Sequence, residues 1–261
     1  MKVKKSKTFA NGIVYALETE DSFPIETTDT FLPYYTKNAI GRRDNTLENN
    51  DVGDRSERWM VGVSVMSGCP VRCKFCATGN LKRWRNLTAN EIIAQVLFVT
   101  LNNPEFDPEN SKEFKINYTR MGEPFLNIDT VKEAIRQISY LYPNAHHYIS
   151  TIGVKNSDFS WIKDNITLQI SLHSLDENRR NDLIPFAKKM TIEQLGQVRT
   201  DSNLKTTLNL TLVDDKDFDI EALQDKFAKE SFFIKLSPIN TNSISVANEL
   251  GEGIIKASNV V

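Results

Sequence analysis

The sequence predicts an α/β fold, a partial (β/α)6 TIM-like barrel, and three observations carry that expectation. From Trp59 onward, β-rich segments alternate with segments of helical period. Each of the six strand candidates but the last is followed by a helix candidate, and the residues with chemical potential fall where strands end. Such alternation builds a parallel sheet with right-handed crossovers. Eight units close a full barrel, so six leave it open, with ligands expected at the C-terminal ends of the strands.

Taken in order, the first 57 residues are polar, with IETTDT and GRRDNTLENND, and are predicted as an irregular N-terminal extension spanning 1–57. WMVGVSVM at 59–66 is the first strand and runs into a Gly68-Cys69 turn. Thr88 and Glu91 have capping-box spacing, and Ile92, Ile93, Val96 and Leu97 continue at helical spacing to about Leu101. The cycle goes on with FKINYT at 114–119, a helix on Val131, Ile135, Ile138 and Leu141, and a strand from His146 to Ser150. A short helix near 157–163 precedes ITLQISL at 166–172, then a helix from Thr191 capped by Gln194, then KTTLNLTLV at 205–213. A helix carrying Ile220, Leu223 and Phe227 leads to FFIKLSP at 232–238. The core is thus expected at 58–245, with a tail at 246–261.

Composition narrows the function classes. A chain of 261 residues with 40% hydrophobic content buries a core of its own. With 32 Lys and Arg against 34 Asp and Glu, the net charge of -2 excludes a global positive field, so any nucleic-acid contact must be local. No stretch approaches about 18 consecutive apolar residues and no apolar leader opens the chain, so the expectation is a cytoplasmic protein without membrane contact.

All three cysteines, Cys69, Cys73 and Cys76, fall in GCPVRCKFCATG. An odd number spaced so tightly makes no disulfide framework. Three soft thiolates on one loop suit three irons of a 4Fe-4S cubane and leave the fourth iron without a protein ligand. S-adenosylmethionine (SAM) can chelate that iron through its amino and carboxylate groups, and the reduced cluster then splits it to a 5'-deoxyadenosyl radical. The alternative is a zinc site with His146, His147 or His173 as fourth ligand, although zinc loops usually bring cysteine pairs from two separate places.

The stretch GCPVRCKFCATGNLKRWRNLTANEIIAQV resembles the radical SAM rRNA and tRNA adenine methyltransferases that modify carbon 2, and their resistance relatives that modify carbon 8. The similarity continues through MGEPFLN at 121–127, STIGV at 150–154, ISLHSLDENRRNDLIPFAKK at 170–189 and LSPIN at 236–240. The resemblance implies a radical SAM core. It implies that Gly122 and Glu123 receive the SAM ammonium, and that Ser150, Ser171, Leu172, His173 and Asn240 make further SAM contacts. Phe75 is expected against the adenine ring, with packing as the plain alternative. A flavodoxin or ferredoxin is expected as the electron donor.

The chain departs from that pattern. The family's methyl transfer uses two further cysteines, one of them seven residues before the cluster, where this chain has Gly62. The other belongs to a segment beyond about residue 250. The methyltransferase label is therefore not carried over, no catalytic residue is assigned, and the substrate is left open. A non-catalytic Fe-S or SAM-binding regulator is the alternative from another class. Arg120 stands where the family has a small or apolar residue, either reshaping the pocket or pairing with a nearby acid. Arg72, Lys74, Lys82, Arg83 and Arg85, with Trp84 among them and no acid, form a patch suited to nucleic acid or to an acidic flavodoxin or ferredoxin, with a solvated loop as the plain alternative.

Overall fold

The computed structural model describes residues 1–34, 52–212, 218–239, 242–248 and 250. The chain divides into two compact units, one of 1–67, 86–121 and 127–148, the other of 68–85, 122–126 and 149–261.

The first unit opens with three antiparallel strands, β1 (Lys2–Phe9), β2 (Gly12–Glu18) and β3 (Pro24–Leu32), followed by β4 (Arg58–Gly62), which pairs antiparallel with β3. Next come α1 (Ala89–Leu101), β5 (Glu113–Tyr118) parallel to β4, α2 (Ile128–Leu141) and the start of β6 (Ala145–Thr151), in the sheet order β1-β2-β3-β4-β5-β6. The irregular extension expected over 1–57 is thus corrected for its first 32 residues, and its residues 35–51 lie outside the described ones. Asn11-Gly12 is the hairpin signal that was present for it. The apolar pattern around it is weak, because β1 is exposed at every position and the buried face of β3 includes Thr27 and Asp29 beside Ile25.

The second unit holds the end of β6, then β7 (Ile166–Ser171), α3 (Glu177–Leu183), α4 (Ile192–Gly196), β8 (Thr206–Leu212), α5 (Ile220–Lys226), β9 (Phe232–Pro238) and α6 (Ser243–Ala247). The order is β6-β7-β8-β9, with β8 parallel to both neighbours. All six predicted strands are present, in two units whose sheets do not close on themselves. The helix expected near 157–163 is replaced by turns: Asp158 accepts the Ser160 amide at 2.9 Å, although Phe159 and Ile162 are buried at helical spacing. In the other direction, α3 has no counterpart among the expected helices, because Leu183 is its one buried apolar residue.

Burial alternates strictly along β5, β6 and β7, as in Phe114, Ile116 and Tyr118 of β5 against half-exposed Glu113, Lys115 and Asn117. The apolar face is covered by helices whose starts are capped as the sequence predicts: Thr88 accepts the Glu91 amide at 3.2 Å while Glu91 accepts that of Thr88 at 2.8 Å. Thr191 and Gln194 form the same box on α4.

Inside the first unit the strands are pinned by Asp29, which is fully buried and fully bonded. It accepts from Arg55 Nη2 at 2.7 Å, Trp59 Nε1 at 2.9 Å and Asn103 Nδ2 at 3.0 Å. Removing one partner of such a network strands the other charge, so Asp29→Ala should lower unfolding free energy in urea by roughly 3–5 kcal/mol. A loss as small as that of a surface ion pair would refute the assignment.

His147 in the same unit is buried, with Nδ1 3.1 Å from Tyr118 Oη and Nε2 2.9 Å from Ser139 Oγ. Burial, reinforced by His146, pulls its pKa down to about 3. Between about 6.5 and about 3 the unfolded imidazole takes up a proton that the folded one refuses, so stability is lost as pH falls through that window. His147→Gln should make the stability–pH slope there shallower, by at most ~1.4 kcal/mol per pH unit; an unchanged slope in pH-jump denaturation would contradict this.

Candidate functional site

The residues singled out in the sequence converge within the second unit. After β5 the chain enters Gly122, whose φ of 101° is left-handed and suits glycine, and Glu123 follows directly. Glu123 is 3% exposed. Its Oε1 accepts from Thr151 Oγ1 at 2.5 Å and from the Phe125 amide at 3.1 Å; its Oε2 accepts from the Ile152 amide at 2.9 Å. A carboxylate has about four lone-pair sites, so Oε1 is saturated and Oε2 keeps one acceptor position for an incoming donor. Burial pushes its pKa up to about 7 against the three bonds that pull it down. A cationic donor is the partner that would return it to the charged form.

The three cysteines share the loop 68–85 with the basic patch. Burial pushes the Cys69 thiol up to about 12 and Cys73 well above its ordinary range, and the charges of Glu123 and the neighbouring thiols add to this. Cys69 and Cys73 are thus poor anions alone, and a bound metal deprotonates its thiol ligands outright. Among the described residues no three of His, Cys, Asp and Glu meet as a single metal ion needs. His147 has both ring nitrogens engaged, and His173 Nδ1 accepts the Thr211 amide at 3.1 Å. The donor set therefore fits a multi-iron cluster, one cysteine per iron, better than one zinc.

His173 sits at φ 63° at the end of β7, 7% exposed, with its ring 4.8 Å edge-on from that of Phe75. Burial, then the charge of Arg180, lowers its pKa to about 3, so it is neutral with the proton on Nε2. Ser150 and Ser171 place their hydroxyls 3.4 Å apart on the half-exposed face of the sheet. Leu172 is fully buried, so what it offers a ligand is its main chain; its amide donates to Asn209 O at 2.9 Å. Asn240 lies outside the described residues.

Three residues that sequence reasoning missed belong to this ground. Thr151 orients Glu123. Asn209, in register with Ser171, has a buried Oδ1 without a hydrogen-bond partner. Arg180 of α3 is fully buried. Only alternation along β8 pointed to Asn209, and nothing distinguished Arg180 from its neighbour Arg179.

Of the basic patch, Arg72, Lys82, Arg83 and Trp84 are exposed, Lys74 pairs with Asp182, and Arg85 is half-buried. In the first unit, Arg120 pairs with Glu26, the second of the two outcomes expected for it. A Cβ added at Gly62 would meet Thr28 Oγ1 at 2.3 Å and Arg120 Cδ at 2.9 Å. The position where the resemblance puts a cysteine is thus filled by neighbouring side chains.

No family model matches the sequence. A probable dual-specificity RNA methyltransferase RlmN of Chlorobium phaeobacteroides (strain BS1) is 35% identical over 178 residues, covering 66% of this chain and 49% of the relative. Another, from C. phaeobacteroides strain DSM 266, is 33% identical over 81% of this chain and 62% of its own length. The dual-specificity RNA methyltransferase RlmN of Aliarcobacter butzleri is 28% identical over 84% and 60%. The chain spans about half the length of the first curated relatives it matches. A radical SAM methyltransferase from Sphaerobacter thermophilus shares the fold, with a TM-score of 0.70 and 21% identity over 99% of this chain and 72% of that one.

Gly62→Cys should cost roughly 1–3 kcal/mol, as overpacked sites do. Thr28→Ala should recover part of that loss in a double-mutant cycle read by urea denaturation, and additivity of the two changes would show that the side chains do not compete. With its three thiols on one post-strand loop and its Glu123 motif, the chain is similar in sequence to the RNA methyltransferases named RlmN and shares the fold of a radical SAM methyltransferase.

Proposed function

We propose that the chain binds a 4Fe-4S cluster and SAM and performs radical chemistry on a base of RNA. The observation that carries this reading is Glu123, a buried carboxylate with one acceptor position open, in the same compact unit as the three-cysteine loop. The cluster, when bound, supplies the electron that cleaves SAM to a 5'-deoxyadenosyl radical.

The chain's residues have the remaining tasks. Cys69, Cys73 and Cys76 would hold three irons. Glu123 Oε2 would accept from the SAM ammonium, a charge-assisted bond that restores the carboxylate. Gly122 permits that approach. Ser150 and Ser171 offer hydroxyls, Leu172 its main chain and His173 its Nε2–H to the ribose and carboxylate, with Asn240 as a further amide. Phe75 would lie against the adenine. The exposed Arg72, Lys82 and Arg83 would meet phosphates, with Trp84 as a stacking surface; an acidic flavodoxin or ferredoxin would deliver the electron. RNA as substrate is supported by the relatives' names. With glycine at position 62 and its space filled, the route to product does not use a thiol there.

Anaerobic reconstitution, reduction with dithionite and mass spectrometry of the SAM products should give RNA-dependent 5'-deoxyadenosine. Bound SAM that stays intact on a reduced cluster, with and without RNA, would instead indicate a binding protein without turnover. Glu123→Gln should weaken SAM binding by roughly 10–100-fold in calorimetry, the worth of one charged hydrogen bond, while leaving the cluster spectrum intact. Arg72→Ala with Lys82→Ala should flatten the dependence of log affinity for single-stranded RNA on log salt by about 0.7 per lost phosphate contact. An unchanged salt slope would assign the patch to the electron donor.

A further inference from the structure

Arg180 is a buried charge with no acid in hydrogen-bond contact. It is 0% exposed, and its two hydrogen bonds run to neutral main-chain carbonyls, Nη1 to Met190 O at 2.8 Å and Nη2 to Ile152 O at 2.6 Å. Its Nε is buried without a partner. A guanidinium in an apolar interior calls for an anion nearby, because carbonyl dipoles answer its hydrogens without cancelling its charge. Glu177, one turn earlier on α3, acts on it only through space and spends Oε2 on the Ile192 amide at 2.8 Å.

Besides Glu177, Cys73 of the cysteine loop acts on Arg180 through space. Leu183, at the end of the helix that carries Arg180, accepts the Lys74 amide at 3.0 Å, and Asp182 pairs with the Lys74 ammonium. Phe75 packs on His173, and both His173 and Cys73 are within the electrostatic reach of Arg180. Helix α3 is thereby tied to residues 74 and 75, between the second and third cysteines.

We propose that Arg180 is a positioning residue for electron transfer, the fixed counter-charge that raises the reduction potential of the cluster on Cys69, Cys73 and Cys76. The inference rests on the radical SAM reading above. One electron added to a cluster held by three thiolates makes it one unit more negative, and a nearby cation shielded from water stabilises the reduced form more than the oxidised one. The electron comes from a low-potential one-electron donor, and no bond in the protein is made or broken. Carbonyls on both sides keep the guanidinium from swinging away to an acid. The Ile152 peptide that accepts from Arg180 also donates its amide to Glu123, so one peptide unit positions both the cation and the carboxylate.

The test is a mediator-poised redox titration of the reconstituted protein, followed by the EPR signal of the reduced cluster. Arg180→Gln should reduce the equilibrium constant for reduction about tenfold or more, a shift of 59 mV or more to lower potential for a one-electron couple. Arg180→Lys, which keeps the charge and loses the fork, should stay close to wild type. Glu177→Gln removes the opposing charge, retains an acceptor for Ile192, and should shift the potential upward, a reversal of sign that a structural disturbance would not produce. If Arg180→Gln does not fold, the Lys and Glu177 variants carry the test. Potentials unchanged in Arg180→Gln or Glu177→Gln, or lowered as far in Arg180→Lys as by loss of the charge, would overturn the inference while leaving the radical SAM reading intact. Failure of the wild-type chain to assemble a 4Fe-4S cluster would sink that reading, and this inference with it.

Discussion

A carboxylate placed in an apolar interior is the constraint from which the second unit is organised. Glu123 takes one bond from the nearby Phe125 amide, and the chain returns at Thr151 and Ile152 to supply a hydroxyl and a second amide. The same Ile152 peptide presents its carbonyl to Arg180, Arg180 reaches on to Met190, and the Met190 amide closes onto Gly153 O at 2.7 Å. Helix α3 then holds the cysteine loop through Leu183. Buried polar networks of this kind are costly when incomplete and specify one arrangement when satisfied. Each polar group in this one orders the next, from Glu123 to the cysteine loop.

The two units answer the same physical problem differently. In the first, Asp29 is surrounded by donors from Arg55, Trp59 and Asn103, and Gln95 saturates its amide with Thr27, Ser64 and the Glu91 carbonyl. Those polar side chains are closed to further partners and serve packing alone. In the second, Glu123 retains an open acceptor, Asn209 Oδ1 has no partner and Arg180 has no bonded acid. The polar groups of the first unit are complete, whereas these of the second keep capacity that a ligand could fill.

Much of this was legible in the sequence, and the limits are physical. The six strands from Trp59 to Pro238 were readable because a half-buried parallel strand flanked by capped helices leaves a strong pattern in apolar residues. The thiol loop and Glu123 were readable because chemistry fixes their spacing and neighbours. The N-terminal meander was not, since its buried face uses Thr27 and Asp29, residue types that read as loop until Arg55, Trp59 and Asn103 are brought to them from 26 to 74 residues away. Arg180 was invisible for the same reason: an arginine on a polar helix reads as surface, and only tertiary packing buries it. At Gly62 the sequence showed the missing thiol, but not that Thr28 and Arg120 take up its space.

Strand β1 lies at the edge of its sheet and is exposed on both faces, with Lys2, Lys4, Lys5 and Lys7 along it and a register shift between Val3 and Lys5. A bare edge is a template for another chain, and two copies approaching through this one would set rows of ammonium groups against each other across a spacing of about 5 Å. Charge repulsion and the bulge together disfavour such pairing, so a strand that adds nothing to the core works against edge-to-edge association.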